Sequence, residues 1–177
     1  MGYRNTRGLR GSTFEEMVNL TNETYRAKGL AVIQKVPTPI TPVRFNKVTR
    51  TIDAAYFERK STVDYIGVVQ GIPVAFDAKE TTQKNLPLQN IHDHQIDFMR
   101  EFARQDGVAF LLVRFAAVDR VFFLPFRELQ GFWLAAQDGG RKSIPLDAFD
   151  GDLTATAKSG AMVHYLEPLS RYLQRGK

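Results

Sequence analysis

The chain has no cysteine among its 177 residues. Disulfide bonds and thiolate zinc sites are therefore excluded, and the absence is consistent with a protein of the cytoplasm. The sequence also lacks a run of about 18 apolar residues, which a membrane-spanning helix would need. Its polar and basic start lacks the apolar core of a secretory signal. We therefore expect a cytoplasmic protein.

Several catalytic signatures are missing as well. The sequence contains no G-x-S-x-G elbow and no convincing Ser/His/Asp set, so catalysis by a side-chain nucleophile is not indicated. It also contains no G-x-x-x-x-G-K-[ST] loop, so ATP use is not indicated. His92 and His94 invite a metal-site interpretation. Two histidines that are two positions apart on a predicted helix point in different directions, however, and are poor co-ligands.

Positive charge is concentrated in the first third of the chain. Residues 1–60 hold eleven Lys or Arg against five Asp or Glu, whereas residues 61–177 hold thirteen against fourteen. A basic arm on a near-neutral body is consistent with a polyanionic partner, and a merely solvated surface explains the charge equally well. We predict that residues 1–10, with Arg4, Arg7 and Arg10, form a flexible basic arm.

The most informative residues are two aspartates and a lysine in the stretch 61–79, Ser-Thr-Val-Asp-Tyr-Ile-Gly-Val-Val-Gln-Gly-Ile-Pro-Val-Ala-Phe-Asp-Ala-Lys. The apolar runs on either side of the Gln-Gly pair predict two strands joined by a two-residue turn. Counting outward from that turn places Asp64 opposite Asp77. The same register places Thr62 opposite Lys79, which shares a face with Asp77 about 7 Å along the strand.

Two facing carboxylates indicate a bound cation. Like charges opposite each other across a sheet repel, so a fold retains them most readily when a cation lies between them. Hard divalent ions such as Mg²⁺ select oxygen ligands of this kind. A lysine beside such a metal suits phosphodiester hydrolysis, because negative charge grows on the phosphate in the transition state. The spacing of Asp64, Asp77 and Lys79 alone is also explained by solvated residues at the edge of a sheet. The largely apolar hairpin favours a buried position instead, where charges need partners.

The remaining hydrophobic periodicity predicts a mixed α/β fold in which helices cover a central sheet. A polar loop carrying Lys84 is expected over 80–88. The predicted helices span 11–28, 89–105, 127–136 and 167–175, and the further strands span 30–36, 108–115 and 120–124.

The segment 37–60 mixes prolines with basic and aromatic side chains. Its three prolines break regular structure, and an irregular insertion of this length is usually functional or disordered. Basic and aromatic groups together can pair with phosphates and stack on bases. An unremarkable surface excursion is the alternative. The candidate DNA-contacting residues, besides the arginines of the arm and Lys84, are Arg44, Phe45, Lys47, Arg50, Tyr56, Phe57, Arg59 and Lys60.

Longer motifs carry a resemblance to a known family. They are Arg-Gly-x-x-Phe-Glu at 10–15, a proline-rich lead at 36–43, Thr-Val-Asp-Tyr-x-Gly at 62–67, Phe-Asp-Ala-Lys-Glu-Thr at 76–81, and Leu-Pro-Leu-Gln-Asn-Ile-His-Asp-His-Gln at 86–95. In this order they cover nearly the whole chain. They resemble the signature of the RecU-type Holliday-junction resolvases, which belong to the restriction-endonuclease-like PD-(D/E)xK nuclease superfamily.

The resemblance implies a single nuclease domain with a restriction-endonuclease-like core, a central mixed β-sheet flanked by helices. It implies that 37–60 is a protruding stalk that enters the centre of a DNA junction. It further implies a homodimer, in a bacterial or phage-infected cell, that nicks four-way junctions symmetrically with Mg²⁺ or Mn²⁺. The N-terminal arm is short for the family.

The resemblance also assigns roles to site residues. Asp64 and Asp77 are implied to bind the metal with help from the carbonyl of Ala78, and Lys79 to stabilise the phosphate and the attacking water. The family more often has glutamate where this chain has Asp77. Thr62 and Gln95 are implied to line the site beside the metal. Glu15 is implied to contribute to the site from the first helix.

The sequence is therefore interpreted as a metal-dependent, structure-selective endonuclease that resolves recombination intermediates. Another repair or restriction-type nuclease on the same core is one alternative. A DNA-binding protein that does not cut and modulates a recombinase is the other. The joint presence of Asp64, Asp77 and Lys79 argues against that inactive version.

Overall fold

The computed structural model describes residues 13–37, 40–57 and 62–176. The expected arm at 1–10, and Arg59 and Lys60, lie outside the described residues. The helices are α1 (Thr13–Ala27), α2 (Asp93–Arg104), α3 (Phe126–Gln137) and α4 (Leu166–Gln174). The strands are β1 (Val32–Lys35), β2 (Ile40–Asn46), β3 (Thr51–Phe57), β4 (Tyr65–Val69), β5 (Ile72–Thr81), β6 (Asn85–Pro87), β7 (Val108–Phe115), β8 (Arg120–Pro125), β9 (Ser143–Pro145) and β10 (Thr154–Ala155).

Six strands form the central sheet in the order β1-β4-β5-β7-β8-β10. The β5–β7 pair is parallel and its neighbours are antiparallel, so the sheet is mixed. Helices α1 and α4 pack on one face, and α2 and α3 pack on the other. The predicted α/β architecture, with helices covering a central sheet, is confirmed. No helix in the described part of the chain is long and apolar enough to cross a membrane.

Stacked aromatic rings hold the central strands together on the α1 side. The ring centroids are 4.8 Å apart for Tyr65 and Phe76, 4.7 Å for Phe76 and Phe110, and 4.2 Å for Phe110 and Phe123. All four rings are buried. Such pairs contribute about 0.5–1.5 kcal/mol each beyond their burial, so this ladder stabilises the packing of β4, β5, β7 and β8. Asp77 follows Phe76 and therefore points to the opposite face, toward α2.

The predicted β4–β5 hairpin is confirmed, together with its register. Val69 pairs with Ile72 across the turn. The two turn residues have positive φ, 48° for Gln70 and 87° for Gly71, which is the two-residue turn that matches the twist of a hairpin. On the other side of β4, a Cβ on Gly67 would lie 2.1 Å from a carbonyl oxygen of β1. A glycine is therefore required for β1 to pair closely with β4.

Two predicted boundaries are wrong. The expected loop at 80–88 is in part strand, because β5 continues to Thr81 and β6 pairs with β9. The helix expected from residue 89 begins at Asp93, after a 3-10 turn at Leu88–Asn90. Pro87 precedes that turn, and His92 has an extended backbone, so the α-helix cannot begin earlier. Strands β9 and β10 have three and two residues and carry no recognisable pattern.

The segment 40–57 is a regular β-hairpin, not the irregular insertion that its prolines predicted. Strands β2 and β3 pair from Ile40 with Phe57 to Asn46 with Thr51, with a register shift between Pro42 and Arg44. A proline is tolerated inside β2 because a two-stranded ribbon has free edges and the shift interrupts its ladder. Among the described elements, β2 and β3 make extensive contacts only with each other.

Candidate active site

Asp77 is the fully buried centre of the candidate site. Its Oδ1 accepts a hydrogen bond from the backbone N–H of Asp64 at 2.6 Å. Its Oδ2 accepts from the Gln95 side-chain amide and lies 3.1 Å from Lys79 Nζ. Each of the two carboxylate oxygens therefore has a donor, as a charge with no exposed surface requires.

Asp64 lies just before β4 and faces Asp77 in β5. The carboxylate of each accepts a hydrogen bond from a backbone N–H of the facing segment. Asp64 Oδ2 accepts from the backbone N–H of Ala78 at 3.2 Å. Burial first, and then the neighbouring Asp77 carboxylate, raise the pKa of Asp64 from 3.8 to about 6. Lys79 acts in the opposite direction. The predicted cross-strand pair is therefore present, and its carboxylates repel.

Gln95 connects the lysine to the start of α2. Its Oε1 accepts from the backbone N–H of His92 at 3.0 Å and lies 3.4 Å from Lys79 Nζ. Its amide nitrogen donates to Asp77. Because an amide has one acceptor and one donor end, these contacts fix its orientation. The sequence predicted Gln95 in the site but not its bridge between Asp77 and Lys79.

The remaining predicted site residues lie at the periphery. Glu15 is partly exposed and forms an ion pair with Lys35 at 2.5 Å, and its charge contributes to raising the pKa of Asp64. Tyr65 holds α1 beside the site by donating from its hydroxyl to Asn19 at 2.8 Å. Thr62 is exposed at a bend before β4.

The two histidines lie closer together than their spacing predicted. The rings of His92 and His94 are stacked with centroids 5.3 Å apart. The expectation that they diverge is wrong, because His92 precedes the helix and does not follow helical spacing. Among the described residues, no group of three or more His, Cys, Asp or Glu forms a candidate metal cluster.

The predicted DNA-contacting residues of the hairpin belong to β2, β3 and their turn, which make their extensive contacts with each other. Arg44, Lys47 and Arg50 are exposed, whereas Phe45, Tyr56 and Phe57 are described only as backbone positions in β2 and β3. Lys84 lines a surface pocket with Arg120 and Arg141. These two arginines were not predicted, because only the β6–β9 pairing and the start of β8 bring them together with Lys84.

A family comparison covers almost the whole chain. The model of the family described as Recombination protein U, RecU, matches residues 9–171. This chain belongs to the RecU family. The predicted family resemblance is thereby confirmed.

Similar proteins are known from several bacteria. A Holliday junction resolvase RecU of Pediococcus pentosaceus is 40% identical over 172 residues, which cover 94% of this chain and 82% of the relative. One from Limosilactobacillus reuteri is 43% identical over 169 residues, 93% of this chain and 79% of the relative. The solved structure of Hjc, a Holliday junction resolvase from Archaeoglobus fulgidus, has a TM-score of 0.40 and 16% identity, covering 67% of this chain and 74% of that one.

The carboxylate pair of this RecU-family chain fits a divalent cation. Asp64 and Asp77 supply oxygen donors that face each other across the β4–β5 hairpin, and burial together with the neighbouring Asp77 charge raises the pKa of Asp64. Mg²⁺ is commonly bound by one or two carboxylates with water completing its octahedron. A cluster of three acidic side chains is therefore not required.

The raised pKa of Asp64 predicts how removal of its charge affects stability. The folded chain holds the Asp64 proton more tightly than the unfolded chain, so the contribution of Asp64 to the stability of the metal-free fold falls as pH rises from about 4 to about 6. We expect Asp64→Asn to raise Tm at pH 7.5 in EDTA, by about 2–4 °C for each kcal/mol of relieved burial and repulsion of the Asp64 charge. Near pH 4 the substitution should change Tm little. An equal change in Tm at both pH values would contradict a cost of the buried Asp64 charge.

Proposed function

We propose that this chain is a metal-dependent endonuclease that resolves four-way DNA junctions by paired, symmetric nicks. The observation that carries the proposal is the placement of Lys79 beside the facing carboxylates of Asp64 and Asp77, in a chain of the RecU family. Its relatives from Pediococcus and Limosilactobacillus are named Holliday junction resolvases. Because these relatives are bacterial, we infer that the chain acts in the cytoplasm of a bacterial or phage-infected cell.

Asp64 and Asp77 would hold the divalent ion, Mg²⁺ or Mn²⁺. A bound ion of this kind polarises the phosphate and lowers the pKa of a coordinated water. The hydrogen bonds from Ala78 and Asp64 N–H groups keep the two carboxylates facing each other. Ionisation of both is needed for binding, and the pKa of about 6 for Asp64 means that protons compete with the metal below that pH.

Lys79 would act on the reacting phosphate directly. Its side chain is 17% exposed, and its ammonium is held between Asp77 and Gln95. Hydrolysis forms a bond from water oxygen to phosphorus and breaks the bond to the leaving oxygen, and negative charge grows on the phosphate during this step. A cation already positioned there stabilises that charge without reorganisation. Gln95 has a positioning role, because it bonds both Asp77 and Lys79.

The proposed activity can be tested with purified protein. Labelled four-way junctions, linear duplexes and single strands of the same sequence should be incubated side by side with Mg²⁺ and with EDTA. We expect cutting of the four-way junction in Mg²⁺, little cutting of the duplex or single strand, and none in EDTA. Equal cutting of all three substrates would favour the alternative of a general repair nuclease on this core. Cutting in EDTA would contradict the metal.

A two-fold dimer is expected in solution. Nicks at symmetric positions on opposing strands require two equivalent sites in a fixed relation, and C₂ assembly is the commonest arrangement that supplies them. Sedimentation velocity at micromolar concentration should therefore show a mass of twice 20.1 kDa. A monomer that still makes paired nicks at the same concentration would contradict the dimer.

The β2–β3 hairpin is proposed as the element that selects four-way junctions. It makes its extensive contacts within itself among the described elements. Val48 at its tip is 93% exposed, and Val43 is 67% exposed. Exposed basic side chains at Arg44, Lys47 and Arg50 can contact phosphates that converge at a junction. We also propose that its aromatic residues stack at an open junction centre. Packing within the hairpin, or contact between two copies of the chain, is the alternative for those residues.

Removal of the hairpin should abolish junction preference and leave the site intact. Replacing residues 44–54 by a short Gly-Ser turn should give a folded, dimeric protein whose affinity for a four-way junction falls to its affinity for duplex DNA. A smaller variant, Arg44→Ala with Lys47→Ala and Arg50→Ala, should lower the salt dependence of junction binding by about 0.9 in log–log slope for each phosphate that the protein no longer neutralises.

A matched control removes three other exposed arginines from the helices, Arg26, Arg104 and Arg127. It lowers the net charge equally, so any general electrostatic effect is the same. We expect the control to keep the preference for four-way junctions. If the hairpin replacement also keeps its preference, selectivity lies elsewhere, in the cleft between two copies of the chain.

A further inference from the structure

A cavity of about 660 Å³ lies beside the candidate site on the α2 side of the sheet. It is bounded by the end of the loop after β5, by β6 and the turn before α2, by the last turns of α3, and by the chain entering β9. Its volume is within the range of about 300–1,000 Å³ that is typical of small-ligand pockets. A single nucleobase with its sugar fits such a space.

Two short connections join this cavity to the candidate site. His92 lines the cavity, and its backbone N–H donates to Gln95 at 3.0 Å. Thr81 lies two residues beyond Lys79 on the same face of β5, and its hydroxyl donates to the carbonyl of Asn85, which also lines the cavity. Residues two apart on a strand are about 7 Å apart, which is about two base steps of a DNA strand. A base close to the cut phosphate is therefore within reach.

The lining has the chemistry of a base-binding pocket. Trp133, the one tryptophan of the chain, is half-buried and offers an indole ring. Side-chain amides surround the space and can both donate to and accept from base edges. The charged lysine and aspartate side chains among its described lining residues are Lys142 and Asp93. Positive charge is therefore not concentrated there, as it would be in an anion-binding site. The amides are those of Gln83, Asn85, Gln89 and Gln137.

We propose that this cavity receives an unstacked nucleobase of the strand being cut, next to the scissile phosphate, and so determines the sequence preference of cutting. The base would stack on Trp133 and bond to the amides of Gln89 and Gln137. Bases at an exchange point are already imperfectly stacked, and this lowers the cost of moving one out of the helix. The inference rests on the proposed function, because it requires DNA at Lys79.

The test uses four-way junctions whose base pairs next to the cut are varied one at a time. The full-length wild type should cut the best sequence at least about tenfold faster than the worst, which is the discrimination that a well-placed amide supplies. The double variant Gln89→Ala with Gln137→Ala should reduce this ratio to less than about twofold. Both glutamines are exposed, so folding should not be affected. Gln105→Ala, at the opposite end of α2, is the matched control and should keep the full ratio.

An abasic junction tests the contact directly. When the one recognised base is removed, the wild type should lose about tenfold in cutting rate, and the glutamine double variant should lose less than about twofold. Such non-additivity is expected only if the base and the glutamines interact. Trp133→Leu should behave as the glutamine variant does, and its circular dichroism reports whether it is folded.

The outcomes separate this inference from the proposed function. Wild-type protein that cuts junctions with no sequence preference would overturn the inference and leave the function standing. The same conclusion follows if the preference is real but unchanged in the glutamine variant, or if an abasic site costs both proteins the same factor. Wild-type protein that cuts no junction would overturn both.

Discussion

Lys79→Ala should lower the cutting rate of bound four-way junctions by about 10²–10³-fold, the loss seen when one positioned donor of a reaction centre is removed. Junction affinity should change by less than about threefold. The reason is that the ammonium, held 3.1 Å from Asp77, matters most where charge develops in the transition state. Single-turnover rates at saturating protein and a separate binding titration measure the two effects independently.

Lys84→Ala is the matched control for this experiment. It removes an identical charge from an exposed position that lines a basic surface pocket. We expect it to weaken binding modestly and to leave the single-turnover rate unchanged. The catalytic assignment fails if Lys79→Ala behaves in the same way, with weaker binding and an intact rate. A thermal melt of each variant shows whether loss of the Lys79–Asp77 ion pair has unfolded the site.

Asp64→Asn and Asp77→Asn should each abolish nicking in Mg²⁺, by a factor of about 10³ or more, since the metal contributes several kcal/mol of transition-state stabilisation. Junction binding should survive or improve, because repulsion of phosphate falls. Asparagine keeps an oxygen that can accept the N–H bonds now made to each carboxylate, so the hairpin should remain intact. Gel-shift and nicking assays on one junction measure both effects.

An exposed aspartate at the end of α3 provides the control. Asp138→Asn removes one negative charge at a distance from the β4–β5 hairpin and should leave nicking unchanged. Full activity of both site variants in Mg²⁺ would remove the basis for a metal at this pair. Isothermal titration with Mn²⁺ adds a test that does not depend on activity, because each site variant should lose the heat of ion binding.

The part of the site that the sequence predicted is the part formed by local pairing. A two-residue turn and alternating side chains were sufficient to set Asp64 opposite Asp77, because register in a hairpin follows from its turn. The face of Lys79 followed from the same alternation. Gln95 was placed in the site only by family resemblance. Its bonds to Asp77 and Lys79 depend on where α2 packs, which no local pattern specifies.

Non-local pairing explains what could not be predicted. Strand β6 is three residues long and exists because β9 lies beside it, although more than fifty residues separate the two. The cavity near Trp133 depends on the same pairing, so its lining could not be assembled from the sequence. The prolines predicted an irregular segment, but 40–57 forms a β-hairpin. Pro42 is accommodated there at a register shift, in a two-stranded ribbon with free edges.

The central claim, paired symmetric resolution of a four-way junction, is tested most directly by mapping every nick on one junction. Four preparations of the same junction, each labelled on a different strand, should be cut in Mg²⁺ and resolved on a sequencing gel. We predict nicks at equivalent positions on one pair of opposing strands, with both made within one binding event, and none with Lys79→Ala. Nicks on a single strand, at unrelated positions, or at equal rates in the linear arms would contradict the account.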